Sequence, residues 1–194
     1  LRQPLFYYAA TDSISGSISI SGFKKDTFGY DVDFLKKHTD GFLLKKGDRA
    51  IFVVPSFQAR VMTATAEGDD GRSSGWINYD LIASKKLQPH INAFGGEERF
   101  WLGPEGGQYA IFFKPGSDFS FANWQTPSVI DTACYKLKER TDTKALFTYE
   151  AQITNYSGFT FEIGIEREIS LVDPVEVMKE MGMEVSYTNI KAVA

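Results

Sequence analysis

ALFTYEAQITNYSGFTFEIGIEREISL, residues 145–171, is the stretch on which the fold turns. Before Asn155-Tyr156-Ser157-Gly158, apolar side chains fall on Ala145, Phe147, Tyr149, Ala151 and Ile153, with Thr148, Glu150 and Gln152 between them. After that turn, Phe159, Phe161, Ile163, Ile165, Ile169 and Leu171 continue the alternation. Successive side chains of a strand point to opposite faces, so the pattern predicts two long antiparallel strands with one packed and one wet face. Arg167 breaks the pattern, because the period assigns its position to the packed face. A guanidinium there requires a carboxylate or carbonyl partner, an open cavity, or a bulge that turns it outward.

Further strand signals lie upstream. Residues 49–54 (RAIFVV) stop at Pro55, and residues 59–65 (ARVMTAT) run into the loop EGDDGRSSG; together they read as neighbouring strands joined by a tight Pro-containing connection. Residues 28–36 (FGYDVDFLK) read as a short strand or mixed segment, with Phe28, Tyr30, Val32 and Phe34 on one face. A short helix is expected over 80–86. Residues 99–102 and 108–113 flank Gly103-Pro104-Glu105-Gly106-Gly107 as the arms of a hairpin with a specialised turn. One convincing helix is expected near 173–181, with Asp173 as N-cap, Pro174 in the first turn and Gly182 at the end. Residues 184–193 resume a strand-like pattern. The Ser/Ile alternation of residues 11–22 reads either as an edge strand or as a flexible leader. The chain therefore divides into a leader or edge strand, 1–27, and a β-sandwich region, 28–194.

The composition agrees with a mainly β fold. Aromatic residues make up 14% of the 194 residues, beside 17 Gly and 7 Pro; aromatics pack well on pleated surfaces that Gly and Pro terminate. Hydrophobic residues at 43% and charged residues at 24% are enough to build a core and unlike a disordered chain. Lys+Arg 21 against Asp+Glu 25 leaves a net charge of −4, which excludes a polybasic nucleic-acid binder. No apolar run reaches the ~18 residues that a membrane span needs. The start, LRQPLFYY, lacks the layout of a signal peptide, although an already processed exported protein is compatible with it. A single Cys, Cys134, allows no intrachain disulfide, and with only His38 and His90 no metal site or cofactor is expected. Phosphate-cradling, nucleophile-elbow and zincin motifs are absent from the sequence.

The densest chemical segment is HINAFGGEERFWLGPEGG, residues 90–107. Carboxylates, Asn and Arg alternate there with aromatics and glycines, a composition suited to a sugar, whose flat apolar face stacks on an aromatic ring while its hydroxyls are fixed by polar groups. Candidate ligand contacts are Arg60, Trp76, Asn78, Arg99, Trp101 and Arg167. Candidate proton-transfer groups are His90 as acid and Glu98 or Glu105 as base. The structural alternatives stand beside these: Phe100 and Trp101 as core, Glu98 and Arg99 as an ion pair, Trp76 as the anchor of its own loop, and His90 as a packing histidine. Strand alternation would also send Glu98 and Arg99 to opposite faces. Glu67, Asp69 and Asp70 lack the spacing of a calcium loop and read as a solvated turn, and Asn155-Tyr156-Ser157 is a formal glycosylation sequon.

Through FGGEERFWLGPEGG (94–107), ARVMTAT (59–65) and SSGWIN (73–78), the chain resembles an uncharacterised family of Bacteroides-type bacterial envelope proteins that is itself similar to the galactose mutarotase-like (aldose 1-epimerase-like) superfamily. The resemblance runs from about Phe28 to the C-terminus. It implies an antiparallel β-supersandwich with a carbohydrate site on a concave face, of which these residues form the N-terminal part, and a periplasmic or cell-envelope location, with lipid anchoring as an option. In that superfamily a His protonates the ring oxygen and a Glu takes the anomeric hydroxyl proton. Here Ala93 and Phe94 precede Gly95-Gly96 where the epimerases carry the His, the nearest His is His90, and the base would lie beyond Ala194. A carbohydrate-binding protein is therefore the first expectation. A sugar-active enzyme and a structural envelope component are the alternatives, and a second chain or a further C-terminal segment is expected to complete the sheet.

Overall fold

The computed structural model describes residues 22–182 and 191–193. Nearly all of the 11–22 repeat lies outside them, as does most of the strand-like stretch 184–193.

Thr27 opens the helix α1, Phe28–His38, its side chain accepting Tyr30 N at 3.4 Å. Asp31 in the first turn and Lys36, Lys37 and His38 in the last complement the helix dipole. Phe28, Val32 and Leu35 are buried, a spacing of four and three that marks a helical stripe. The short strand or mixed segment expected over 28–36 is thus a helix. The alternation of Phe28, Tyr30, Val32 and Phe34 suggested a strand, but Leu35 and the Thr27 cap complete a helical pattern that can bury against a sheet.

That sheet is an antiparallel meander of β1, Phe42–Lys46, β2, Arg49–Val54, and β3, Arg60–Thr65, with a 3-10 turn, Pro55–Phe57, making the expected Pro-containing connection. It is covered on both sides. Ala50, Phe52, Val54 and Met62 pack with α1, whereas Leu44, Ile51, Val53 and Val61 pack toward the second large sheet. Alternation along β3 supplies both layers, and its register against β2 slips by one residue after Phe52, with Val53 opposite Val61. Each apolar side chain buried in this way contributes about 1.5–3 kcal/mol.

The two-residue strand β4, Trp76–Ile77, leads into α2, Tyr79–Ser84, close to the helix expected over 80–86, with Asn78 Oδ1 accepting Leu81 N at 3.1 Å as its cap. β5, Gly95–Gly96, returns to pair with β4. Residues 97–135 are then largely irregular, with short 3-10 turns at Phe121–Asn123 and Ser128–Ile130. The hairpin expected over 99–113 does not form. Ala110, Phe112 and Phe113 are buried with Val129, Ile130 and Ile153. Their backbone groups bond across loops instead of along a ladder: Tyr156 N donates to Ala110 O at 2.7 Å and Gln125 N to Phe112 O at 2.8 Å.

The second large sheet holds β6, Lys136–Arg140, β7, Lys144–Thr154, β8, Thr160–Ser170, and β9, Lys191–Val193, all antiparallel. β7 and β8 are the predicted pair, in register from Lys144 opposite Ser170 to Thr154 opposite Thr160. Ala145, Phe147 and Ile169 are fully buried against the meander, where Phe42 stacks on Phe147 at 6.1 Å. α3, Pro174–Met181, has the predicted Asp173 cap and ends at Gly182 in the left-handed region. The order of layers is therefore α1 and α2, the three-stranded meander, then the four-stranded sheet, a mainly antiparallel β architecture with a few short helices.

Candidate functional site

Arg60 reaches its position through strained backbone. Gln58 and Ala59, both non-glycine, take positive φ values of 60° and 52° as the Pro55 turn hands over to β3. Such residues cost about 1–3 kcal/mol each and persist where their surroundings hold them; here Gln58 N donates to Ala133 O at 3.1 Å. Arg60 Nη1 then donates to Gly95 O at 2.8 Å and Nη2 to Gln58 Oε1 at 2.6 Å. The chain crosses Arg60 and Trp76 so closely that only glycine fits. A Cβ on Gly95 would stand 1.9 Å from Trp76 O, and one on Gly96 2.7 Å from Arg60 Cδ; both have positive φ, 93° and 110°. By contrast a Cβ on Gly103, Gly106 or Gly107 meets nothing within 4 Å.

Over this crossing opens a cleft of about 330 Å³ whose charged and aromatic lining is Arg60, Trp76, Glu97, Glu98 and Arg99. Trp76 stands on it 61% exposed. Glu98 Oε1 accepts Val61 N at 3.1 Å and is ion-paired with Arg167 Nη2. Arg99 Nη2 donates to Ile130 O at 3.0 Å and Asp131 Oδ1 at 2.9 Å, and its guanidinium lies 4.6 Å over the Trp101 ring. Asp131 also accepts Asn92 N at 2.9 Å and Asn92 Nδ2 at 2.7 Å, while its main-chain oxygen accepts Gln58 Nε2. Two carboxylates are thereby matched with two arginines.

Two charged groups remain outside those pairs. Arg60, 2% exposed, has no carboxylate within 4 Å among the described residues, its Nη atoms resting on neutral acceptors and its Nε on none. Burial, then the neighbouring Arg99, push it down to about 10. Glu97 has no side-chain hydrogen bond among the described residues; burial, then the neighbouring Glu98, push its carboxyl up to about 7. Arg99 is also lowered by burial, against the pull of Asp131.

Of the residues singled out in the sequence, Arg60, Trp76, Glu98 and Arg99 come together here. Glu98 and Arg99 line the same cleft rather than opposite faces, because residues 97–102 do not form the regular strand that alternation assumed. Arg167 does not line the cleft; it lies 2% exposed behind Glu98, so the partner explanation of its anomalous position holds. Asn78 caps α2 and donates to Ala93 O at 3.1 Å, bracing the cleft's edge without lining it. Trp101 covers Arg99, packs on Phe112 and donates to Glu105 Oε1 at 2.9 Å, which leaves Glu105 on the surface outside the cleft. His90 is elsewhere too: Nδ1 lies 2.7 Å from Trp124 O, and its ring packs tilted against Phe121 at 4.5 Å, so it is a packing histidine. Glu97 was missed, although the consecutive Glu97-Glu98 beside two glycines was its available signal. Gln58, Asn92 and Asp131 were missed because their roles depend on contacts from distant segments. Asn155 of the sequon is 2% exposed and its Oδ1 accepts Phe159 N at 2.9 Å, so its side chain holds the β7–β8 turn.

A larger groove of about 570 Å³ lies between β8 and residues 100–111, lined chiefly by Phe100, Leu102, Tyr109, Ile111, Phe161 and Ile163. Its apolar walls offer little to a polyhydroxylated ligand. Among the described residues no group of three or more His, Cys, Asp or Glu is placed to hold a metal ion. No helix among them is long and apolar enough to cross a membrane.

Residues 26–194 match a family of unknown function, DUF6786. The chain belongs to that family. No curated protein and no solved structure matches it. The cleft of this DUF6786 chain, with the Arg167 and Asp131 that hold its charges, lies wholly within the matched residues.

Proposed function

We propose that this DUF6786 chain is a carbohydrate-binding protein of the galactose mutarotase-like fold, with the cleft of Arg60, Trp76, Glu97, Glu98 and Arg99 as its sugar site. The observation that carries this reading is Trp76: a large exposed ring stands beside two carboxylates and two guanidiniums on a Gly-Gly crossing. An aromatic face meets the C–H side of a pyranose while fixed charged groups meet its hydroxyls. The antiparallel layers are compatible with part of a β-supersandwich, and the apolar groove beside β8 is the surface that a second chain or a further segment would cover. The resemblance carried by residues 59–65, 73–78 and 94–107 is what supports a periplasmic or cell-envelope location as part of this proposal.

Saturation-transfer NMR with a panel of aldoses and methyl glycosides tests the proposal. Transfer to at least one sugar in the parent, lost in Trp76→Ala, is expected; no transfer to any sugar leaves the structural envelope component as the better account.

A second reading, a sugar-active enzyme working by proton transfer, is favoured by Glu97. A carboxyl pushed up to about 7 can both give and take a proton near neutral pH. In this version Glu97 replaces His90, which lies outside the cleft. Polarimetry of freshly dissolved aldoses decides it: acceleration over buffer that disappears in Glu97→Gln supports the enzyme, and no acceleration removes mutarotation.

A further inference from the structure

The cleft's charges do not balance, and the imbalance bears on the kind of sugar it takes. Arg60, Arg99 and Arg167 supply three positive charges, while Glu98 and Asp131 supply the two carboxylates that pair with Arg167 and Arg99. Arg60 is left over, buried at the cleft floor on neutral acceptors. Glu98 and Asp131 attract it from their own pairs, against the repulsion of Arg99 and Arg167, but none of them bonds it, and a buried cation without an ion pair of its own gains from an anion placed near it. The other charged group of the cleft, Glu97, is a poor counter-charge: no ion pair joins it to Arg60 among the described residues, and it sits beside Glu98. When Glu97 is protonated the cluster carries one net positive charge; when it ionises the cluster is neutral.

A contact point for an anion is present as well. Arg99 spends Nη2 on Ile130 O and Asp131, whereas its Nη1 has no partner among the described residues, and the side chain is 21% exposed. Resting on the Trp101 ring, the guanidinium is held in one plane. Arg60, Glu97 and Arg99 line one cleft, so a carboxylate accepting from Nη1 would share it with the buried Arg60 and the Glu97 carboxyl.

From this juxtaposition we infer that the cleft takes an acidic sugar, a pyranose bearing a carboxylate, which meets Arg99 while Arg60 supplies the charge behind it. The inference rests on the carbohydrate reading of the cleft and narrows it. The charged group acting directly on Glu97 is Glu98 on its own segment; Arg60 from β3 and Arg99 line the cleft with it, and Asp131 and Arg167 pair with Arg99 and Glu98. Glu98 and Asp131 stay paired with arginines, so Glu97 is the group whose ionisation competes with a bound carboxylate.

Titration calorimetry on the full 194-residue chain tests this with the methyl glycosides of glucose, galactose and mannose, each beside its uronate, at pH 6 and pH 8. At least one uronate should bind about tenfold or more tighter than its neutral partner at pH 6. That advantage should shrink about tenfold by pH 8 in the parent and stay constant in Glu97→Gln. Arg60→Met, close in volume, should abolish the preference; should it fail to fold, the Glu97→Gln pH comparison carries the test alone. Neutral sugars binding as tightly as the uronates would overturn this inference and leave the carbohydrate reading standing. No binding by either class would overturn both, and a uronate preference unchanged by pH and by Arg60→Met would overturn the charge argument.

Discussion

Arg167 on β8 and Glu98, 69 residues earlier in the chain, form an ion pair that ties the floor of the polar cleft to the four-stranded sheet. The arginine is buried and its carboxylate partner is partly exposed, so the pair anchors from one side and faces the cleft from the other. Glu98 spends its other contact on Val61 N in the meander, so one carboxylate bridges both large sheets.

Removing only the arginine leaves a carboxylate in a site built for a pair. Arg167→Met should destabilise the fold by about 3 kcal/mol in urea denaturation. Arg167→Met combined with Glu98→Leu should recover at least about 1 kcal/mol of that loss, because no unpaired charge remains. Additive losses would mean that the two residues do not act as a unit.

Glu97 sets a pH dependence whose sign follows from its raised value. Its folded carboxyl titrates near 7 against an ordinary value of 4.5, so between these limits the folded state binds more protons than the unfolded one. Its contribution to stability is therefore best below about 4.5, falls as pH rises toward 7, and is level above that. The fall amounts to at most about 3 kcal/mol. The stability difference between the parent and Glu97→Gln, measured by denaturation from pH 4.5 to 8, should show this slope; a flat difference would contradict it.

Gly95 and Gly106 should respond oppositely to the same change. Gly95→Ala drives a Cβ into Trp76 O at a positive φ, and should cost about 2–3 kcal/mol or more. Gly106→Ala meets nothing within 4 Å and should alter stability by less than about 0.5 kcal/mol. Thermal unfolding of the two variants side by side is sufficient, and equal losses would count against the crossing over Arg60 and Trp76.

The two tryptophans of the region should separate binding from stability. Trp76 is exposed and holds its place in β4 by backbone pairing to Gly96, so Trp76→Ala should leave the melting temperature nearly unchanged while weakening sugar binding about tenfold. Trp101 packs against Phe112 and covers Arg99, so Trp101→Ala should lower stability by about 1–2 kcal/mol. Paired thermal-shift and binding measurements on both variants check the separation; a large loss of stability in Trp76→Ala would make that residue structural.

The sequence by itself determined the long β7–β8 pair, the β2–β3 pair around Pro55 and the Asp173-capped helix, because each depends on periodicity or on contacts within a few residues. It also exposed Arg167 as anomalous, since a period of two has no place for a guanidinium on a packed face. Where two periods competed, at Phe28–His38, the sheet waiting beneath Phe28, Val32 and Leu35 decided for the helix. The hairpin expected over 99–113 lost to burial of Phe112 and Ala110 under loops, a preference that no local pattern encodes. Four of the cleft's residues were candidates in the sequence, but their assembly belongs to tertiary structure: Arg99 meets Asp131, Glu98 meets Arg167 and Gln58 meets Asp131 across 32, 69 and 73 residues of chain. A charge's partner, and hence whether it is spent on the fold or left for a ligand, is set by long-range packing: Arg60 was a candidate in the sequence, but that it and Glu97 lie outside the ion pairs shows only once the neighbouring charges are paired.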